Sequence, residues 1–185
     1  MKFAFLPILT AILFLAACKK EVGPPPFTGN PNNELKATVS VVGEPTVVHH
    51  AKAEHTVFDR EIHSNGDTVI YLSGSIGEYG TVSSRTIQIS LINIPGPGTY
   101  HFNSTSSTNT RQQLLGRYTV GDIFFSTIFQ MYFSDVSTAP GSLTVDLLTP
   151  TEIRGTFITN CSNSQLISTG VDFARITNGS FKGTF

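Results

Sequence analysis

The chain has 185 residues, with 12 Lys and Arg against 13 Asp and Glu, two Cys and no Trp. After Lys20 the charges are scattered singly, which excludes a basic nucleic-acid surface and a polybasic lipid-binding patch. The length fits a leader, a tether and one domain, and two cysteines give no disulfide framework.

Lys2 precedes an apolar stretch, Phe3 to Leu15, that closes on Leu15-Ala16-Ala17-Cys18. This is the pattern of a bacterial secretory signal, with small residues before a cysteine. A spanning helix needs about 20 apolar residues. This run contains Pro7 and stops at Lys19 and Lys20. The segment resembles the lipobox of bacterial lipoproteins. That resemblance implies cleavage between Ala17 and Cys18, a diacylglyceryl thioether on Cys18, and a palmitate-type acyl chain on the new amino terminus. Two or three such chains, at about 0.8 kcal/mol per buried methylene, anchor a protein without spanning the membrane. Cys18-Lys19-Lys20-Glu21 resembles the starts of Bacteroidota outer-membrane lipoproteins. The expected address is the outer membrane, surface-facing rather than periplasmic.

Residues 1–17 are thus read as a cleaved signal peptide and 18–34 as a lipidated tether. The tether is rich in Pro, Gly and Asn, with little to bury, so it is expected to be extended and disordered. Residues 35–185 are the domain. Strand signals follow in order at Lys36–Val42, Thr46–His50, Thr68–Ser75, Thr86–Asn93, Thr99–Asn103, Ser142–Leu148, Arg154–Thr159 and Gly179–Phe185. Thr86–Ile92 alternates with Ile87, Ile89 and Leu91 on one face, and Ser142–Leu147 with Leu143, Val145 and Leu147. Asn65-Gly66, Pro95-Gly96-Pro97-Gly98 and Asn178-Gly179 read as turns, and Ser83–Ser84 and Ser104–Gln113 as loops.

Two stretches are less plain. Ala51–His63 fits a short helix or a strand, and His49-His50 point to opposite faces of a strand. Asp122–Ser134 gathers Phe124, Phe125, Phe129, Tyr132 and Phe133 and reads as a strand. The fold class is all-β: a single antiparallel β-sandwich or barrel-like domain of about 8–10 strands.

Pro97-Gly98-Thr99-Tyr100, Gly141-Ser142-Leu143-Thr144-Val145, Arg154-Gly155-Thr156-Phe157 and Ile176-Thr177-Asn178-Gly179-Ser180-Phe181 carry a second resemblance. Over roughly residues 86–185 the chain resembles a small Bacteroidota outer-membrane lipoprotein family of unknown function. The resemblance implies that the Gly-Thr-Tyr and Gly-Thr-Phe elements start strands and that Asn-Gly-Ser-Phe opens the last one. It implies no activity.

His55, Asp59, Glu61 and His63 form the sharpest cluster of chemistry-bearing residues. On either a strand or a helix, His55, Asp59 and His63 share a face, and imidazole with carboxylate suits Zn²⁺. The competing reading is a solvated face opposite Phe58 and Ile62. No Gly-x-Ser-x-Gly elbow, phosphate loop or zinc-protease motif is present in the sequence. Cys161 reads as a passive buried residue. Asp67-Thr68-Val69 resembles the short O-glycosylation sequon of exported Bacteroidota proteins, which makes Thr68 a candidate acceptor. The aromatic run 123–133 fills a core or lines a barrel cavity.

The sequence therefore points to a non-enzymatic, cofactor-free binding or scaffolding module. Its partners are a membrane through Cys18 and a protein or glycan, with no nucleic acid. The alternatives are a lipocalin-like carrier of a small apolar ligand and a metal-dependent hydrolase using His55, Asp59 and His63.

Overall fold

The structure is a computed structural model that describes residues 30–77, 84–102, 113–122, 127–133, 141–162 and 173–185. Among these residues lie eleven strands and one 3-10 turn, Ala53–His55. The strands are β1 (Glu34–Val41), β2 (Val47–Ala51), β3 (Thr56–Ile62), β4 (Thr68–Ile76), β5 (Arg85–Ile92) and β6 (Gly98–His101). They continue as β7 (Gln113–Asp122), β8 (Thr127–Phe133), β9 (Gly141–Leu148), β10 (Glu152–Ser162) and β11 (Phe173–Thr184).

All pairings are antiparallel, and the strands pack as two sheets in a sandwich rather than a closed barrel. One layer runs β2-β1-β11-β10-β9-β6, and the other β8-β7-β5-β4-β3. The long β10 joins them. Its edge pairs with β9 from Ile153 to Thr159 and meets β8 at Ser162, opposite Phe133.

Strict alternation gives each sheet one buried face. Leu35, Ala37, Val39 and Val41 of β1 meet Ile87, Ile89 and Leu91 of β5 in one core, together with Leu143 and Val145 of β9. Cys161 is fully buried, its Sγ 4.0 Å from the Gly116 carbonyl oxygen of β7.

Six local expectations change. Ala51–His63 is neither wholly helix nor wholly strand: the 3-10 turn leads directly into β3. Phe58 is buried as expected, but Ile62 is 78% exposed. From Asp59 onward every β3 side chain is exposed, so the end of this strand runs past the facing layer. The loop assigned to Ser104–Gln113 gives way at Gln113 to β7, a strand with no counterpart in the sequence reading. Gly116 occupies an inward position of β7 and interrupts its apolar alternation, which hides it.

Asn178-Gly179 is a bulge, not a turn. Opposite β1, Ser180 pairs with Lys36 and Thr177 with Thr38, leaving one extra residue on β11. The same offset occurs against β10. Asn178 takes φ 51°, and the inward positions switch from Ala174 and Ile176 to Gly179, Phe181 and Gly183. The last strand therefore begins at Phe173, and Gly155-Thr156-Phe157 lies inside β10 instead of starting it.

Asn33 fixes the start of the domain. Its Oδ1 accepts the Thr184 backbone N–H at 2.8 Å, and Asn30 Nδ2 donates to the Thr184 hydroxyl at 2.5 Å. Residues 30–33 are thereby stitched to the end of the last strand.

Candidate functional site on the outer face of β4, β5 and β7

Cross-strand register places three rows of side chains on the face turned away from the core. Tyr71, Ser90 and Leu115 form the first, Ser73, Gln88 and Arg117 the second, and Ser75, Thr86 and Thr119 the third. Directly opposite residues share a face and lie within side-chain reach of one another. The first two rows line a surface cavity of about 360 Å³, at the small end of the range for ligand pockets.

Arg117 is the charge in this groove. Its Nε donates to Gln88 Oε1 at 2.6 Å, and Nη2 donates to the same oxygen. Burial lowers the guanidinium pKa from its usual value, yet arginine stays charged in proteins. The amide thus holds a half-buried cation in one plane on a rigid sheet. In the third row, Ser75 Oγ lies 2.8 Å from Thr86 Oγ1. Thr86 and Thr119 are buried there despite facing outward.

The groove combines hydroxyls, an amide, a fixed cation and two larger side chains, Tyr71 and Leu115. Among the described residues no His, Asp, Glu or Cys lines it. Such groups offer hydrogen-bond donors and acceptors, one positive charge and apolar contact to whatever enters the groove.

The histidine cluster is spread out. Residues 56–62 are extended, so His55 and His63 stand roughly 25 Å apart at about 3.3 Å per residue. Asp59 lies roughly midway, and ligands to one Zn²⁺ must each come within about 2 Å of it. The neighbours that do meet are Glu61 and His63, with Oε2 and Nε2 3.4 Å apart at the surface. Asp59 Oδ1 accepts the Arg60 N–H. No group of three His, Cys, Asp or Glu suited to a metal is gathered among the described residues.

Thr68 is half-buried at the start of β4. Its N–H donates to Asn93 Oδ1 and its carbonyl accepts the Asn93 N–H, so its backbone is clamped on both sides. Ala17, Cys18, Phe124 and Phe125 lie outside the described residues. No described helix is long and apolar enough to cross a membrane.

Sequence reasoning did not single out Tyr71, Gln88 or Arg117. The alternation of Thr86–Ile92 put Gln88 and Ser90 on the wet face, but nothing in the sequence named their neighbours across the sheet.

No family model, no curated protein and no solved structure matches this chain.

Proposed function

We propose that this protein is a non-catalytic binding module, lipid-anchored through Cys18 to the outer membrane and facing the cell surface. Its ligand is a glycan or protein segment held in the groove of β4, β5 and β7. The observation that carries the reading is the Arg117–Gln88 pair: a fixed cation and amide in a concave face lined by hydroxyls. Scaffolds that bind without chemistry present such groups on rigid strands. The likeness of residues 15–21 to lipoprotein leaders supports the anchor, and the composition of residues 18–29 supports a tether that clears the lipid headgroups, the domain beginning at Asn30 instead of residue 35.

Three experiments test it. Protease shaving of intact cells should remove the domain while a periplasmic control survives, and a Cys18→Ala chain should accumulate unprocessed. Survival of the domain would reject the surface address, and normal processing of the variant would reject the anchor. Screening the protein on glycan and peptide arrays should yield ligands that Arg117→Ala loses. Retention of every ligand by that variant would move the binding surface elsewhere.

A further inference from the structure

We propose that His49 is an acid-released latch that holds the edge strand β2 against β4 of the other layer. His49 sits opposite Ala37 of β1 with its ring turned inward and fully buried. Its Nε2 lies 2.9 Å from the Gly74 carbonyl oxygen. A carbonyl only accepts, so Nε2 carries the hydrogen, and Nδ1 of the neutral ring is a bare lone pair. That Nδ1 is buried, with no hydrogen-bond partner among the described residues.

The contact depends on Gly74. A Cβ there would stand 2.9 Å from the Ala51 Cβ and 3.0 Å from the Leu35 Cβ, so glycine alone lets β2 and β1 close onto β4. Strand β2 has five residues and, among the described residues, one ladder neighbour, β1. Val48 on its outer face is 77% exposed, and the inner face contributes the buried His49 and Ala51 with the half-buried Val47.

Protonation would put a second N–H donor and a charge where no acceptor waits, which is costly in a buried site. The groups facing His49 offer no compensation. From β1 they are Leu35, Ala37 and Val39, and from β4 Leu72 and Gly74. His50, next in the chain, repels a proton on His49, while it and Glu34 face outward, as do Lys52 and Glu54 before and within the 3-10 turn.

Burial accordingly pushes the His49 pKa down to about 4, against the raising effect of the Gly74 hydrogen bond. The neutral ring favours the closed strand fully above pH 6.5, and that preference is lost as pH falls through about 4. The open population of β2 should rise up to about 300-fold across this window, tenfold per pH unit. Release would expose the β1 edge as a template for strand pairing.

Hydrogen–deuterium exchange of the full-length protein in detergent, corrected for intrinsic rates, tests the latch. Between pH 7 and 4, residues 47–51 should lose protection while β5 and β10 keep theirs. His49→Gln retains a side-chain amide donor for Gly74 and does not titrate, so it should remove the response. His50→Gln should leave it. A wild-type β2 protected throughout, an unchanged response in His49→Gln, or simultaneous loss in all strands would each overturn the proposal. Should His49→Gln not fold, the ring titration of His49 decides by NMR. A midpoint near 4 supports the latch, and one near 6.5 rejects it.

Discussion

The ring of Phe181 occupies the space that a side chain on Gly155 would need: a Cβ built on Gly155 would lie 2.6 Å from Phe181 Cζ. The two residues are direct cross-strand partners between β10 and β11. Two positions along, the arrangement reverses, with Phe157 lying over Gly179. The rings stand 6.3 Å apart, tilted by 38°. Each phenylalanine thus packs on a bare backbone, and the core here is shaped by Phe–Gly complementarity across one ladder.

Gly155→Ala should destabilise the fold by about 2–3 kcal/mol through overpacking. The new methyl would meet both Phe181 and the Thr144 carbonyl oxygen, and the backbone contact cannot be relieved by a rotamer change. Adding Phe181→Leu should recover only part of the loss. Urea unfolding of the two variants checks this, and a Gly155→Ala midpoint equal to wild type would contradict the geometry.

Global stability should fall between pH 6.5 and 4 by about 3 kcal/mol from His49 alone. The sign follows from a folded pKa pushed down to about 4: the unfolded chain takes up the proton first, so acid favours unfolding. His49→Gln should flatten this part of the stability–pH curve. An equally steep curve in the variant would assign the slope to other groups.

Asn178 holds φ 51°, a left-handed conformation open to Asn and Gly but costly for β-branched residues. Asn178→Val should therefore cost about 1–2 kcal/mol, whereas Asn178→Gly should change stability little. Thermal midpoints of the pair distinguish a bulge from a straight ladder, on which valine would be the better residue.

Arg117→Lys keeps the charge but loses the planar donors that meet Gln88. Stability should change by less than about 1 kcal/mol, since the pair lies at a surface. Affinity for any ligand that Arg117→Ala loses should drop about tenfold or more, which corresponds to about 1.4 kcal/mol. Urea unfolding reads the first number and titration calorimetry the second, and undiminished affinity would exclude the fork as a contact.

The strands that declared themselves in the sequence were those with an unbroken period of two. In β5 and β9 the residues expected inside are the ones found there, apart from the half-buried Leu147. His49 and His50 likewise take opposite faces, one buried and one exposed. Legibility failed where glycine entered the pattern. Gly116 concealed β7, and Asn178-Gly179 passed for a turn because a bulge and a hairpin draw on the same left-handed residues. The groove was beyond reach for a different reason. Tyr71, Gln88 and Arg117 are separated by 17 and 29 residues, and only register brings them together. The histidine cluster shows the converse: proximity in sequence became distance once the chain was extended.

The first strand has the last strand as its inner neighbour, with Leu35 paired to Phe181. Closing that contact joins segments at opposite ends of the domain, so its entropic cost falls due late and all at once. The sandwich cannot be completed on a growing chain until β11 has been made. Until then β1 lacks its inner neighbour, and Leu35 has no Phe181 to pair with.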